Sequence, residues 1–231
     1  MRGCRWPCRH GGPNLARMEG ELDARGYATA PGGLGAHHRY LLPPIERLLA
    51  TEGAPRLFEI GFGSGAVADH LTRRGYQVSG IDPADASLAA ARRQFPHLDG
   101  LARGDVYQDL AGRFGRFPVV LSIEVVEHLY LPRRFAAAAF DLLDPGGLLI
   151  ATTPYHGYWK NLAVALAGRC DAHWNPLWDH GHIKFWSPRP LSALLAEAGF
   201  RVEGILRVGR PAPFAKSMIA LARRVEAAGQ G

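Results

Sequence analysis

The sequence predicts a doubly wound α/β fold: a mostly parallel seven-stranded sheet with an antiparallel edge. Three observations carry this expectation. Short apolar runs alternate with stretches of helical period along most of the chain. The first run feeds a glycine-rich turn, Glu59-Ile60-Gly61-Phe62-Gly63-Ser64-Gly65, and then a helical stretch. The last two runs read as an antiparallel edge pair.

Taken in order, residues 38–50 form a helix, with Leu41, Leu42, Ile45, Leu48 and Leu49 on or near one face. Pro43 and Pro44 are tolerated only in its first turn. Strands follow at 57–60, 77–81, 103–106, 119–125 and 148–153. Helices are expected at 64–74, 84–94, 132–143 and 188–198, and runs 201–208 and 217–222 close the sheet. The stretch 155–186 interrupts this order and holds four tryptophans (159, 174, 178, 186) and four histidines (156, 173, 180, 182). Long connections of this kind carry function. Following the fifth strand, it lies over the carboxyl ends of the strands, where open α/β sheets bind ligands.

Composition narrows the class. A chain of 231 residues, 47% apolar, suits one domain with a real core. We assign residues 37–225 to that domain, with 155–186 as a substrate-covering insertion. Residues 1–36, rich in Gly, Pro and Arg, read as a flexible leader, and 27–40 is expected to cover the ligand site. No uncharged apolar stretch reaches the about 18 residues of a membrane-spanning helix. The charge of +6 admits nucleic acid, but with no basic tract or docking motif no dedicated nucleic-acid partner is expected. Three cysteines, Cys4, Cys8 and Cys170, make no disulfide framework, and Cys4, Cys8 and His10 lack a fourth metal ligand. Residues 1–17 lack the apolar segment of a secretory signal, so a cytoplasmic location is expected, and Met18 offers a second start.

The glycine turn offers Gly61, Gly63 and Gly65 for tight turning and close ligand approach. The G-x-G-x-x-G spacing of dinucleotide sites is not met. Glu59 at the strand end would repel a pyrophosphate yet accept hydrogen bonds from an ammonium group. Asp82 after the second strand can grip ribose hydroxyls or cap the next helix. Asp105 can accept from an adenine amino group or serve a turn, with Val106 giving apolar contact. At the end of the fourth strand, Ser122-Ile123-Glu124-Val125-Val126-Glu127-His128 sets three ionisable groups at the rim. His128 is the candidate general base, or a brace for its loop.

Together these features, over residues 38–225, resemble the class I S-adenosyl-methionine-dependent methyltransferases, which have a Rossmann-like fold. Leu142-Leu143-Asp144-Pro145-Gly146-Gly147 and Ala198-Gly199-Phe200 match later features of that family. The resemblance implies S-adenosyl-methionine as cofactor, with Glu59, Gly61, Gly63, Gly65, Asp82, Asp105, Val106 and Ser122 as its binding set. Phe62 departs from the small residue often seen in the loop, which alters packing rather than cofactor class. The E-x-x-E-H at 124–128 is similar to the ubiquinone-biosynthesis O-methyltransferase branch. It is also similar to small-RNA 2′-O-methyltransferases, where two Glu and the His join a later His around a divalent ion. That implies Glu124, Glu127, His128 and His182 as ligands for Mg²⁺, Mn²⁺ or Zn²⁺, with His180 a second candidate for the last place and a metal-free reading left open. His128 and His182 are the expected catalytic pair.

The tryptophans wall a ring-shaped acceptor or form a secondary core; Lys160, Arg169 and Lys184 attract an acidic one or face solvent. Trp159 with residues 162–166 offers an apolar helix for weak membrane contact or a partner subunit. The leading expectation is O-methylation of a small, phenolic metabolite. Small-molecule N-methylation and a non-catalytic S-adenosyl-methionine-binding protein are the alternatives.

Overall fold

A computed structural model describes residues 33–225 apart from 176, 179 and 180. Residues 1–32, with Cys4, Cys8, His10 and the first six residues of the cover expected from 27–40, and His180 lie outside the described residues. Helix α1 (His38–Glu52) is followed by β1 (Arg56–Ile60), α2 (Ala66–Thr72), β2 (Gln77–Asp82), α3 (Asp85–Gln94) and β3 (Leu101–Arg103). Then come α4 (Leu110–Phe114), β4 (Phe117–Ser122), a 3₁₀ turn (Val126–His128), α5 (Pro132–Leu142) and β5 (Leu143–Pro154). Helices α6 (Tyr158–Leu166), α7 (Cys170–His173) and α8 (Pro188–Glu197) lead to β6 (Phe200–Val208) and β7 (Ser217–Arg224).

The sheet order is β3-β2-β1-β4-β5-β7-β6. Strands β1 to β5 run parallel, and β7 pairs antiparallel with both β5 and β6. Side chains alternate across it with period two. On β1 and β4, Phe58, Ile60 and Val120 join Leu110, Phe135, Leu142, Leu191 and Leu195 on the face covered by α4, α5 and α8. Leu57, Val119 and Leu121 point the other way, to Leu41, Ile45, Val67, Leu71 and Leu88 of α1, α2 and α3. The chain leaves β1 toward β2 on one side and finds β4 on the other, so the crevice of an open sheet lies at their carboxyl ends.

Four local expectations are corrected. Pro43 and Pro44 lie inside α1, beyond its first turn. They are on its less buried side, and four buried aliphatics at roughly 1.5–3 kcal/mol each outweigh two interior prolines at about 3 kcal/mol each. Strand β3 ends at Arg103, because Asp105 turns the chain by accepting the Tyr107 N–H (2.8 Å). Strand β4 ends at Ser122, not 125, because Glu124 adopts φ 54, a left-handed conformation that cannot continue a ladder. Helix α4 was not foreseen: at five residues it is too short to show a period, though Asp109 caps it by accepting the Gly112 N–H (2.9 Å).

Candidate active site

The first half of the site is a rim built by β1, β2 and their turns. Gly61 (φ 81), Gly63 (φ 55) and Gly65 (φ 80) all adopt left-handed backbone. The N–H of Gly61 reaches the Ile81 carbonyl (2.8 Å), and the N–H of Gly63 donates to Asp82 Oδ2 (2.9 Å). Asp82 Oδ1 accepts from Ala84 N–H (3.0 Å), so one carboxylate ties the glycine loop to the start of α3. Burial is the main influence on Asp82 and raises its pKa against those hydrogen bonds. A side chain at Gly61 would strike Val125, whereas one at Gly63 would enter empty space. Glu59, 1% exposed, points into the same region. Burial first, and then the charge of Asp82, push its carboxyl to about 8. Its Oε2 and the hydroxyl of Ser122 are buried without a hydrogen-bond partner. Val106 is buried in the core beside this rim.

The second half gathers around the 3₁₀ turn. Glu127, His128 and His182 bring one ligand atom each within 4.8 Å of one another. The Glu127 carboxylate is 1% exposed, and neither oxygen has a hydrogen bond of ordinary geometry. Burial, and then the neighbouring charge of Glu124, hold its carboxyl well above the usual range. His128 Nδ1 donates to the Gly181 carbonyl (3.2 Å), and its ring meets that of His182 edge-on with centroids 4.9 Å apart. His182 Nε2 lies 4.0 Å from Glu127 Oε1. Burial chiefly, then His128 and His173, lower the His182 pKa to about 4. The main chain delivers His182: the Glu127 carbonyl accepts both the Ile183 N–H (3.0 Å) and the Lys184 N–H (2.9 Å).

Glu124, grouped with these ligands by the sequence, stands outside the cluster. Its left-handed backbone turns it toward β5, where its N–H donates to Thr152 Oγ1 (3.0 Å) and its Oε1 accepts from that hydroxyl (2.9 Å). Burial raises its carboxyl to about 7 against the pull of Thr152, Ser217 and Lys160.

A cavity of about 620 Å³ adjoins the second half, reached by Glu124 and His182 and walled by Trp174, Trp178 and Phe185. Trp159 points elsewhere and is exposed, while Trp186 is buried in the core. Sequence reading missed Tyr40, Arg210, Lys216 and Ser217, which also line the cavity. Tyr40 and Ser217 share a hydrogen bond (3.2 Å) across 177 positions of chain. No local pattern signals that pairing; only the expectation that residues 27–40 cover the site included Tyr40.

A family model described as "Methyltransferase domain" matches residues 35–204. A protein named ubiquinone biosynthesis O-methyltransferase from Cereibacter sphaeroides is 36% identical over 148 residues, 62% of this chain and 59% of that one. The protein of the same name from Methylocella silvestris is 31% identical over 193 residues, 74% of this chain and 75% of its own. The chain thus spans about three fifths of the first relative's length and three quarters of the second's. In fold it is similar to magnesium protoporphyrin IX methyltransferase from Synechocystis PCC 6803 with bound SAH (TM-score 0.63, 16% identity, 90% of this chain and 94% of that one). Sheet order, glycine loop and relatives agree: the chain belongs to the class I S-adenosyl-methionine-dependent methyltransferases.

Proposed function

We propose that the chain transfers a methyl group from S-adenosyl-methionine to a hydroxyl of a small, ring-bearing metabolite, with a divalent ion held by Glu127, His128 and His182. The observation that carries this is the Glu127 carboxylate, buried, without ordinary hydrogen bonds and beside two imidazoles. As an anion such a group costs several kcal/mol, an order-of-magnitude figure, unless a cation meets it. One carboxylate and two imidazoles suit Mn²⁺ or Zn²⁺, and Mg²⁺ less well. The names of the sequence relatives support oxygen as the acceptor atom.

The rim fits the cofactor. The unpartnered Glu59 Oε2 suits its ammonium group, and the empty space at Gly63 suits a chain passing close to backbone. Asp82 already accepts two N–H groups, but each carboxylate oxygen has two lone pairs, so ribose hydroxyls can still donate to it. Asp105 and Val106 are the candidates for adenine, and Ser122 for the reacting end. When bound, the cofactor supplies a methyl group activated by its sulfonium.

The chain's own residues then have three tasks. Glu127, His128 and His182 hold and polarise the acceptor hydroxyl; a divalent ion there would lower its pKa. The Gly181 carbonyl fixes the tautomer and direction of His128, whose Nε2 either holds the ion or, where none is bound, takes the departing proton. The segment 155–186 covers the acceptor and excludes water, and orientation supplies much of the rate. Among the described residues no helix is long and apolar enough to cross a membrane. Exposed Tyr158, Trp159 and Leu166 on α6 support weak membrane contact.

The test is methyl transfer from isotope-labelled S-adenosyl-methionine to a cell extract, with and without chelator. A labelled small-molecule ether, lost with chelator and restored by a divalent ion, is the expected result. Undiminished transfer in chelator removes the metal from the proposal. Cofactor binding with no small-molecule product removes the acceptor class.

A further inference from the structure

The cavity beside the candidate active site has an unbalanced wall. Lys160, Arg210 and Lys216 line it, while Glu124 is the only carboxylic acid among its described lining residues. Elsewhere Arg73, Arg103, Arg133, Arg201 and Arg223 each pair with an acid. Among the described residues, none of the three cavity cations forms an ion pair. Lys160 is anchored, its ammonium donating to the Tyr155 carbonyl (2.7 Å) and lying 3.5 Å from the Lys216 carbonyl. Burial and then the charge of Arg210 hold its pKa down. His156 feels the same field: burial and then Lys160 lower it to about 4. Cations crowded together in a half-closed space, with neighbouring imidazoles kept neutral, favour an incoming anion.

Position sharpens the reading. Lys160, Arg210 and His173 also line a second cavity of about 350 Å³, which adds Arg169 and Phe214. Lys160 and Arg210 therefore stand at the junction of two spaces.

We infer that the acceptor carries an oxyanion, a carboxylate or a phosphate, seated on Lys160 and Arg210, with its ring against Trp174 and Trp178 and its hydroxyl toward the Glu127–His128–His182 cluster. This rests on the proposed O-methyl transfer for the direction of the hydroxyl, but not for the charge. An anion so placed gains two charge-assisted contacts and neutralises a like-charge pair. The same contacts fix the ring's orientation, as a positioned reaction requires.

The probes are 3,4-dihydroxybenzoate, its neutral methyl ester and a dihydroxyphenyl phosphate. Their binding to the full chain is read by quenching of tryptophan fluorescence, which needs no turnover. One of the anions is expected to bind at least about 10-fold tighter than the ester, with a preference that falls as salt rises. The tighter anion identifies the group. Lys160→Gln and Arg210→Gln each collapse the ratio toward one, while Arg93→Gln on the exposed side of α3 leaves it unchanged. Circular dichroism confirms that the variants fold. Equal binding of acid, phosphate and ester, binding of none, or a preference that survives both cavity variants overturns the inference. Selective anion binding without methylated product rejects the transfer reading and leaves the anion site standing; equal turnover of acid and ester does the reverse.

Discussion

The two halves of the site are held in opposite ways. At the glycine rim, backbone does the positioning: Gly61 bonds the β2 carbonyl, and Asp82 spends both carboxylate oxygens on N–H groups. In the histidine half, neither Glu127 oxygen has an ordinary hydrogen bond, and among the described residues Lys160 and Arg210 form no ion pair. A rim stitched by its own main chain is preorganised before a ligand arrives. A cavity with unmatched charges acquires its balance from what it binds. Under the proposed function the first half would serve stability and cofactor affinity, the second acceptor choice and rate.

Substitutions can break that division. The largest effect is expected from Glu127→Gln, which keeps shape and removes the charge. It should lower kcat/KM by on the order of 10²-fold or more, while calorimetric affinity for S-adenosyl-methionine and the Tm hold. A fall in either would move Glu127 into the frame. Next, Gly61→Ala should destabilise the whole protein. Left-handed strain of about 1–2 kcal/mol adds to about 1–3 kcal/mol of crowding against Val125, and urea unfolding measures the sum. Gly63→Ala should show only the strain, because its side chain meets no atom, yet cofactor affinity should drop roughly 10-fold by calorimetry as the methyl occupies ligand space. Equal behaviour of the two glycine variants would erase the distinction between packing and ligand approach.

The last effect is a pH slope. With Glu59 at about 8 in the fold and near 4.5 unfolded, the folded chain keeps a proton that the unfolded chain has released. Its contribution is full below about pH 4.5 and is lost as pH rises through 8. The Tm should therefore fall between pH 5 and 9, and Glu59→Gln should flatten part of that fall. Saturating S-adenosyl-methionine should flatten it too, since its ammonium stabilises the charged carboxylate.

The same contrast governs what was legible in the sequence. The rim is local: Glu59 to Gly65 is one strand and its turn, and Asp82 lies one β-α step later, so the alternation of apolar runs exposed both. The doubly wound order and the antiparallel edge followed from that alternation. The histidine half is assembled across long gaps. His182 reaches Glu127 only because the Glu127 carbonyl binds the chain at Ile183 and Lys184, and no spacing rule encodes that bond. Only resemblance linked them beforehand. Glu124 shows the limit of such linkage: the motif groups it with Glu127, but a left-handed backbone angle gives its carboxylate to Thr152. Arg210 and Lys216, scattered in the β6–β7 connection, gave no signal at all.

The paired hydrogen bonds at the Glu127 carbonyl bear on the timing of a catalytic cycle. They join the residue with the unsatisfied carboxylate to the segment proposed to cover the acceptor. On the proposed function, withdrawing that segment to admit or release a molecule would break these bonds and separate His182 from His128. Enclosure and chemical competence would then be one event: with the door ajar the reactive ensemble would be dismantled, and stray water would meet only its separated parts.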